Sequence, residues 1–342
     1  MTGLAAKCAE TAVLIVGYNN AEDILHCLAA LSRAAASPRF NIFICENGGR
    51  AAYDQLTGRL VAEGLCIDIG PIEASAPFVE ARRLILRDRD AAVTLGCARS
   101  NLGYGGGVNA WLRPLMNREG WKGAWILNPD AEPAPDALAA LVARAETGGK
   151  GMVGSTILEA GSAEVIRFRG GLCWRKLSTR CVALGLGDRL DAAFDLAAIE
   201  GAMDSPSGAS MYVTRRCIEQ IGLMDDAYFL FFEDLDWGVR AKKLGLGYAS
   251  ASVVAHKRGT TTGSAERGQG LSKLAVYLQH RNAIHFVRRH YPWSLPVRVA
   301  LSLAFALRFL LRRAPDSCMA ALAGAAAGLR GEWGAPDWSR PR

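Results

Sequence analysis

Four short apolar runs, each ending in a polar or glycine-rich turn, restrict this chain more than any other feature. Residues 11–16 (Thr-Ala-Val-Leu-Ile-Val) are rich in β-branched side chains and carry no charge. They run into Gly17, Tyr18, Asn19 and Asn20 before a stretch of helical spacing at 21–35. A buried strand, a turn and a helix form the opening unit of a parallel α/β sheet. Residues 40–45 make a second such run, ending at Glu46, Asn47, Gly48 and Gly49. Residues 93–95 make a third, leading into the glycine-rich segment 99–109 ahead of a helix. Residues 124–127 make the fourth, halted by Pro129 so that Asn128 and Asp130 stand at its carboxyl edge, with a helix expected over 136–146. Ligands of open α/β sheets bind in the crevice beyond the strands' carboxyl ends, so these polar residues are candidate walls of one site. Asn-Gly and Gly-Gly are also ordinary turn formers, and Asp130 suits a helix cap equally well. The glycine segment would let backbone amides approach a phosphate or sugar, but it is neither a Rossmann fingerprint nor a P-loop.

A second feature is chemical. In residues 228–237 an aromatic run is followed directly by three carboxylates, Glu233, Asp234 and Asp236. Acids beside so apolar a run either sit at a solvated helix start or line the rim of a cleft, where desolvation tunes them for chemistry. Before them, residues 151–199 read only as a β-containing insertion, 208–213 as a strand and 215–221 as a helix. After them, 248–255 reads as a strand that delivers His256.

The chain's 342 residues are enough for one large α/β domain with an appendage or for two smaller ones. At 50% apolar and 21% charged it is a folded protein rather than a disordered one. From Leu271 onward there are 11 Lys/Arg against 3 Asp/Glu, leaving 29 against 30 before it, so the formal charge of +7 belongs to the tail. Cys8, Cys27, Cys45, Cys66, Cys97, Cys173, Cys181, Cys217 and Cys318 are odd in number and scattered, with no Cys-x-x-Cys pair. They read as reduced thiols of a cytosolic protein with no zinc site. No export signal is visible at the amino terminus.

Taken in order, these segments resemble a family 2 glycosyltransferase, most closely its bacterial rhamnosyltransferase-type branch. The resemblance spans residue 11 to about residue 290. It is carried by Tyr18-Asn19, Glu46-Asn47-Gly48, Asn101 to Asn109 with its glycines, Leu127-Asn128-Pro129-Asp130, Gly208-Ala209-Ser210-Met211, Phe232-Glu233-Asp234-Leu235-Asp236, and His256 with Gly259. It implies an α/β GT-A fold, a Rossmann-like mixed sheet flanked by helices over residues 1–270, with a basic helical extension over 271–342. It further implies an inverting, metal-dependent transfer of a sugar, rhamnose from a thymidine diphosphate donor, onto a cell-surface polysaccharide or lipid-linked glycan. Galactosyl, glucosyl or N-acetylglucosaminyl uridine donors are the alternative within the same chemistry.

On this resemblance Asp234 is the base that takes the acceptor hydroxyl's proton, with Glu233 and Asp236 as the fallback acids. Asp130, where the family's metal motif ends, and His256 would hold Mg²⁺ or Mn²⁺. Tyr18, Asn19 and Glu46 would cradle base and ribose, Glu46 standing where relatives often carry Asp. Asn101, Gly105, Gly106 and Asn128 would lie near diphosphate and sugar, and Arg281 in Tyr277…Arg281-Asn282 would meet phosphate. A non-catalytic nucleotide- or glycan-binding scaffold would not need Asp130, Asp234 and His256 together. A nucleotidyltransferase would carry Arg or Lys in a glycine loop where this chain has Tyr18 and Asn19.

Residues 297–313 are apolar but broken by Arg298 and Arg308. A spanning helix needs about 20 apolar residues, so this stretch predicts a helix lying on an anionic membrane surface, a partner-binding helix, or a basic helix packed back on the domain. Its Leu/Ala interleaving argues against nucleic acid. A cytoplasmic protein, peripheral on the inner face of the cell membrane, is the location expected, with a homodimer left open.

Overall fold

The computed structural model describes residues 9–159, 161–256 and 271–339. The first half follows the sequence pattern closely: β1 (Thr11–Gly17), α1 (Ala21–Ser32), β2 (Phe40–Glu46), α2 (Arg50–Ala62), β3 (Cys66–Ile72), β4 (Phe78–Leu86), β5 (Ala92–Ala98), α3 (Gly103–Met116), β6 (Gly123–Leu127), β7 (Ala131–Pro133) and α4 (Ala137–Gly148). β5, β2, β1 and β6 are parallel neighbours, so the polar turns after β1, β2 and β6 open on one edge. The hairpin β3–β4, which the apolar pattern does not announce, extends the sheet beyond β5.

The second half continues as β8 (Met152–Leu158), β9 (Ile166–Arg169), β10 (Gly171–Arg175), β11 (Arg180–Ala183), α5 (Leu196–Ala202), β12 (Ser205–Pro206), β13 (Ser210–Thr214), α6 (Arg215–Ile221), α7 (Glu233–Ala241) and β14 (Leu246–His256). The main sheet runs β3-β4-β5-β2-β1-β6-β13-β8-β14-β7, with β9 on β8, while β10, β11 and β12 form a small separate sheet. The insertion expected over 151–199 is thus β-containing. β13 runs antiparallel to β6, with Ser210 opposite Leu127, and β14 runs antiparallel to β7, with His256 opposite Ala131.

Alternation along the strands builds two cores. Val13 and Ile15 bury with α1, α2 and α4, while Ala12, Leu14 and Val16 bury with α3, α6 and α7. Residues 99–102 precede the helix, but the glycines expected to form a loop make the first turns of α3 itself. Gly105, Gly106 and Gly107 are buried there, packed close to Glu233, Leu102 and Val16 respectively. Glycine weakens an isolated helix, and here close packing offsets that cost. The described cysteines are all unpaired, and Cys27, Cys45, Cys66, Cys97 and Cys217 are buried.

The carboxyl-terminal segment folds as three helices, α8 (Lys273–His290), α9 (Leu295–Leu311) and α10 (Pro315–Arg330). α10 closes on α8 at Gly324, where any Cβ would lie 2.2 Å from the Tyr277 carbonyl oxygen. His285 stacks on Trp333 with ring centroids 3.6 Å apart.

Candidate active site

Beyond β1 and β2, Glu46 is the organiser. Its Oε1 accepts hydrogen bonds from the backbone N–H of Asn19 (3.2 Å) and of Gly48 (2.7 Å), while its buried Oε2 has no partner. Burial raises its carboxyl above the usual range despite those two donors. Asn19 takes a positive φ of 55°, an uncommon conformation for a residue other than glycine, and Tyr18 is 40% exposed. Asn47, to which the sequence assigns no role of its own, ties this edge to α3: its Nδ2 donates to the Gly103 carbonyl (2.9 Å) and its Oδ1 accepts from Leu102 N–H (3.3 Å). Asn101 accepts from Gly103 N–H through Oδ1 at 2.9 Å.

Asn128, Asp130 and His256 converge, as the β14–β7 register requires. His256 Nε2 lies 3.1 Å from Asp130 Oδ1 and 3.2 Å from Asn128 Nδ2. Asp130 Oδ2 and His256 Nδ1 are buried without partners. A carboxylate oxygen and an imidazole nitrogen left in this state fit a divalent cation such as Mn²⁺ or Mg²⁺. Among the described residues no cluster of three or more His, Cys, Asp or Glu could hold a metal ion, and the oxygens of a bound anion could supply further ligands. Gly259 lies outside the described residues.

Glu233 and Asp234 begin α7 and line a cavity, and Glu233 is buried, so this helix start is not a solvated one. Asp234 Oδ2 accepts from Gly208 N–H (3.2 Å) and Oδ1 from Leu235 N–H (2.7 Å). A Cβ at position 208 would lie 2.7 Å from Asp234 Oδ2, so only glycine leaves room for this approach. Burial raises both carboxyls above their usual range, Glu233 further because of the Asp234 charge beside it. Asp234 has two backbone donors, whereas Glu233 Oε2 has no partner, so of the two Asp234 is the better placed to carry the charge. Tyr104, also unanticipated, donates its hydroxyl to the Gly208 carbonyl at 2.8 Å.

The Glu233 environment sets a pH dependence. A folded-state value above the unfolded one means that its contribution to stability is present at low pH and lost as pH rises through the folded value. Glu233→Gln is therefore expected to stabilise the protein by about 1–2 kcal/mol at pH 8 and by less at pH 5. Equal melting shifts at the two pH values would contradict a desolvated carboxyl.

Two sequence assignments are corrected. Asp236 is 0% exposed and is held by Arg240 (2.8 Å), His290 (2.7 Å) and Arg289 (3.3 Å). Burial alone would raise its carboxyl, but the His290 hydrogen bond and the arginine charges outweigh this and hold it below the usual range. It is a structural anchor and not a base. Arg281 is 1% exposed and spends its guanidinium on the carbonyls of Tyr228 and Gly334 and on Asn282 Oδ1, which leaves no phosphate contact. Its neighbour Asn282 donates to three carbonyls, Tyr228 (3.0 Å), Leu230 (2.8 Å) and Phe231 (2.9 Å). These bonds hold a segment in which Phe229, Phe231 and Phe232 all have positive φ, directly before the two acids. Such strain persists only where surrounding structure over-determines it.

A cavity of about 590 Å³ joins Asn128, His256, Gly208, Glu233 and Asp234 to the aromatic segment and to α8 and α9. Tyr18, Asn19, Glu46, Asn101, Gly105 and Gly106 do not line it. They stand at the ends of β1 and β2 and at the start of α3.

Residues 93–286 match the family model described as glycosyltransferase-like family 2. The N-acetylglucosaminyl-diphospho-decaprenol L-rhamnosyltransferase of Mycobacterium tuberculosis is 27% identical over 234 residues, covering 61% of this chain and 72% of that protein. Among solved structures, the mannosyltransferase PcManGT from Pyrobaculum calidifontis, in complex with GDP-Man and Mn²⁺, is similar with a TM-score of 0.50 and 13% identity, over 94% of this chain and 87% of that one. GalNAc-T7 with UDP, GalNAc and Mn²⁺ is similar with a TM-score of 0.51 and 12% identity, over 82% of this chain and 48% of that one. At these identities the two structures speak for the fold alone, and that fold is GT-A.

Proposed function

The chain belongs to glycosyltransferase-like family 2 and is a glycosyltransferase; from that premise we propose that it moves rhamnose from a thymidine diphosphate donor onto a lipid-linked glycan, with inversion. The observation that carries this reading is the convergence of Asn128, His256 and Asp234 on one cavity beside the carboxyl ends of the sheet strands. The rhamnosyl donor and lipid-linked acceptor are suggested by the mycobacterial relative, which is named for both.

In this reading Tyr18, Asn19 and Glu46 receive base and ribose, and Asn101, Gly105 and Gly106 flank the diphosphate. Asp130 and His256 would hold Mg²⁺ or Mn²⁺, which when bound neutralises charge on the departing diphosphate. Asp234 takes the proton of the acceptor hydroxyl as that oxygen bonds to the anomeric carbon. The bond from that carbon to the diphosphate oxygen breaks on the opposite face, so the configuration inverts.

Calorimetry with thymidine diphosphate rhamnose and the uridine diphosphate sugars, each with Mn²⁺, Mg²⁺ or chelator, tests the donor. The thymidine compound should bind at least about tenfold more tightly than the uridine ones and only with metal. Preference for a uridine donor would replace the sugar assignment, and metal-independent binding would remove the cation from Asp130 and His256.

The acceptor reading favours a membrane surface. α9 is not uniformly basic outside: Arg298 is buried, while Leu303, Leu307, Leu310 and Leu311 are more than half exposed beside exposed Arg308, Arg312 and Arg313. By length and composition alone, Pro292–Leu311 is also apolar enough to cross a bilayer, with a mean hydropathy of 1.7. Its packing on α8 and α10 favours an orientation along the surface. Leu307→Glu with Leu310→Glu should weaken cosedimentation with anionic vesicles by about tenfold, and unchanged cosedimentation would remove the membrane contact.

A further inference from the structure

The cavity does not end at the catalytic acids. Its far half is walled by Leu271, Val276, Phe305 and Phe309, yet two titratable groups open into it, Arg298 from α9 and His280 from α8. Arg298 is 6% exposed and has no carboxylate partner among the described residues; its terminal nitrogens donate to the Thr179 carbonyl (3.3 Å) and to Ser302 Oγ (3.0 Å). Its Nε has no partner, nor do the buried Thr179 Oγ1 and His280 Nδ1. Buried polar atoms are normally satisfied, and a buried cation normally has its counter-charge. Burial pulls the Arg298 guanidinium down only to about 10, so it is charged at neutral pH. Burial and that neighbouring charge push the His280 imidazole down to about 4, so the histidine is neutral and can act as a donor without being a second cation.

We propose that Arg298, with His280, binds the phosphate of an isoprenoid diphosphate anchor, placing the anchor's first apolar units against Phe305 and Phe309 and its sugar toward Asp234. The proposal rests on the lipid-linked acceptor reading above and assigns it a site. The missing counter-charge calls for an anion, and a guanidinium suits phosphate oxygens. The apolar walls call for a chain attached to that anion, and the exposed leucines of α9 place the cavity beside a surface from which such a chain could enter.

The test is calorimetry of the full chain with farnesyl diphosphate, inorganic diphosphate and farnesol, alongside thymidine diphosphate with Mn²⁺. Farnesyl diphosphate should bind more tightly than either fragment, and thymidine diphosphate should not displace it. Arg298→Met should weaken it about 10- to 100-fold, with thymidine diphosphate affinity unchanged. His280→Glu retains the guanidinium but gives it an internal partner, and should produce a similar loss even if the Arg298 variant fails to fold. Unaltered farnesyl diphosphate affinity in folded Arg298→Met or His280→Glu would overturn the proposal. So would displacement by thymidine diphosphate, or equal affinity for inorganic diphosphate. Absence of any nucleotide diphosphate binding, with Arg298-dependent farnesyl diphosphate binding intact, would support this site and count against the transfer reading instead.

Discussion

Asp234→Asn is expected to lower kcat by about 10²- to 10⁴-fold, the range ascribed to a lost general base, while donor affinity and melting temperature stay near those of the parent. Asparagine keeps the size of the side chain and an oxygen able to accept from Gly208 N–H or Leu235 N–H, so the α7 entry should survive. What it removes is the carboxylate that Gly208 N–H and Leu235 N–H hold at the cavity. The parent enzyme's pH profile carries the same information. Burial holds the Asp234 carboxyl above the usual aspartate value of about 3.9. Activity should therefore fall on the acid side at a pH above that value, as the base becomes protonated, and this limb should vanish in the residual activity of Asp234→Asn. A variant that loses donor binding or melts early would make Asp234 a structural acid, and Glu233 would inherit the base role.

Asn282→Ala is expected to cost about 2–3 kcal/mol of stability, since the part-buried carbonyls of Leu230 and Phe231 lose its amide donor, while the buried Tyr228 carbonyl keeps Arg281 Nη2 and Leu230 N–H. Its kinetic effect should exceed what stability alone explains. Below the melting transition kcat should drop by about 10²-fold through misplacement of Glu233 and Asp234, with the dissociation constant for thymidine diphosphate unchanged. That split separates a positioning residue from one that merely supports the fold. Parent-like kcat in folded protein would show that the strained phenylalanines hold their conformation without α8. The extension from residue 271 therefore reaches the catalytic segment through Asn282, and deleting it should disturb catalysis as well as surface attachment.

The Arg281-Asn282 pair shows what a sequence conceals. Both residues are polar and stand in a motif, so a ligand contact was the natural reading. Only the packing of α8 against residues 228–231 turned their donors inward onto carbonyls. Asp236 presents the same problem, because three acids in four residues look equivalent until the helix turns one toward Arg240, Arg289 and His290. Arg298 moved in the same direction, from a basic interruption of an apolar helix to a buried cation facing a cavity. The hairpin β3–β4 escaped notice because the edge strand β3 is exposed along most of its length and carries no continuous apolar run.

Local chemistry was sufficient elsewhere. The runs at β1, β2, β5 and β6 are short, β-branched and uncharged, so their periodicity admits little besides buried parallel strands, and the residues after them must gather at one edge. Glu46, Asn19 and Asp130 could be expected near that edge because they end or closely follow such strands, and His256 because it ends β14. The aromatic run marked the three acids after it together, and the choice of Asp234 among them came from the family resemblance. Which acid is desolvated, which is paired, and which cations face inward depend on contacts between residues tens to more than a hundred positions apart. The sequence by itself therefore determined the parallel strands β1, β2, β5 and β6 and the edge at which their polar turns gather. Tertiary structure alone decided how charge is distributed there, because burial and the proximity of partners set that distribution, and neither is a property of a residue's local sequence.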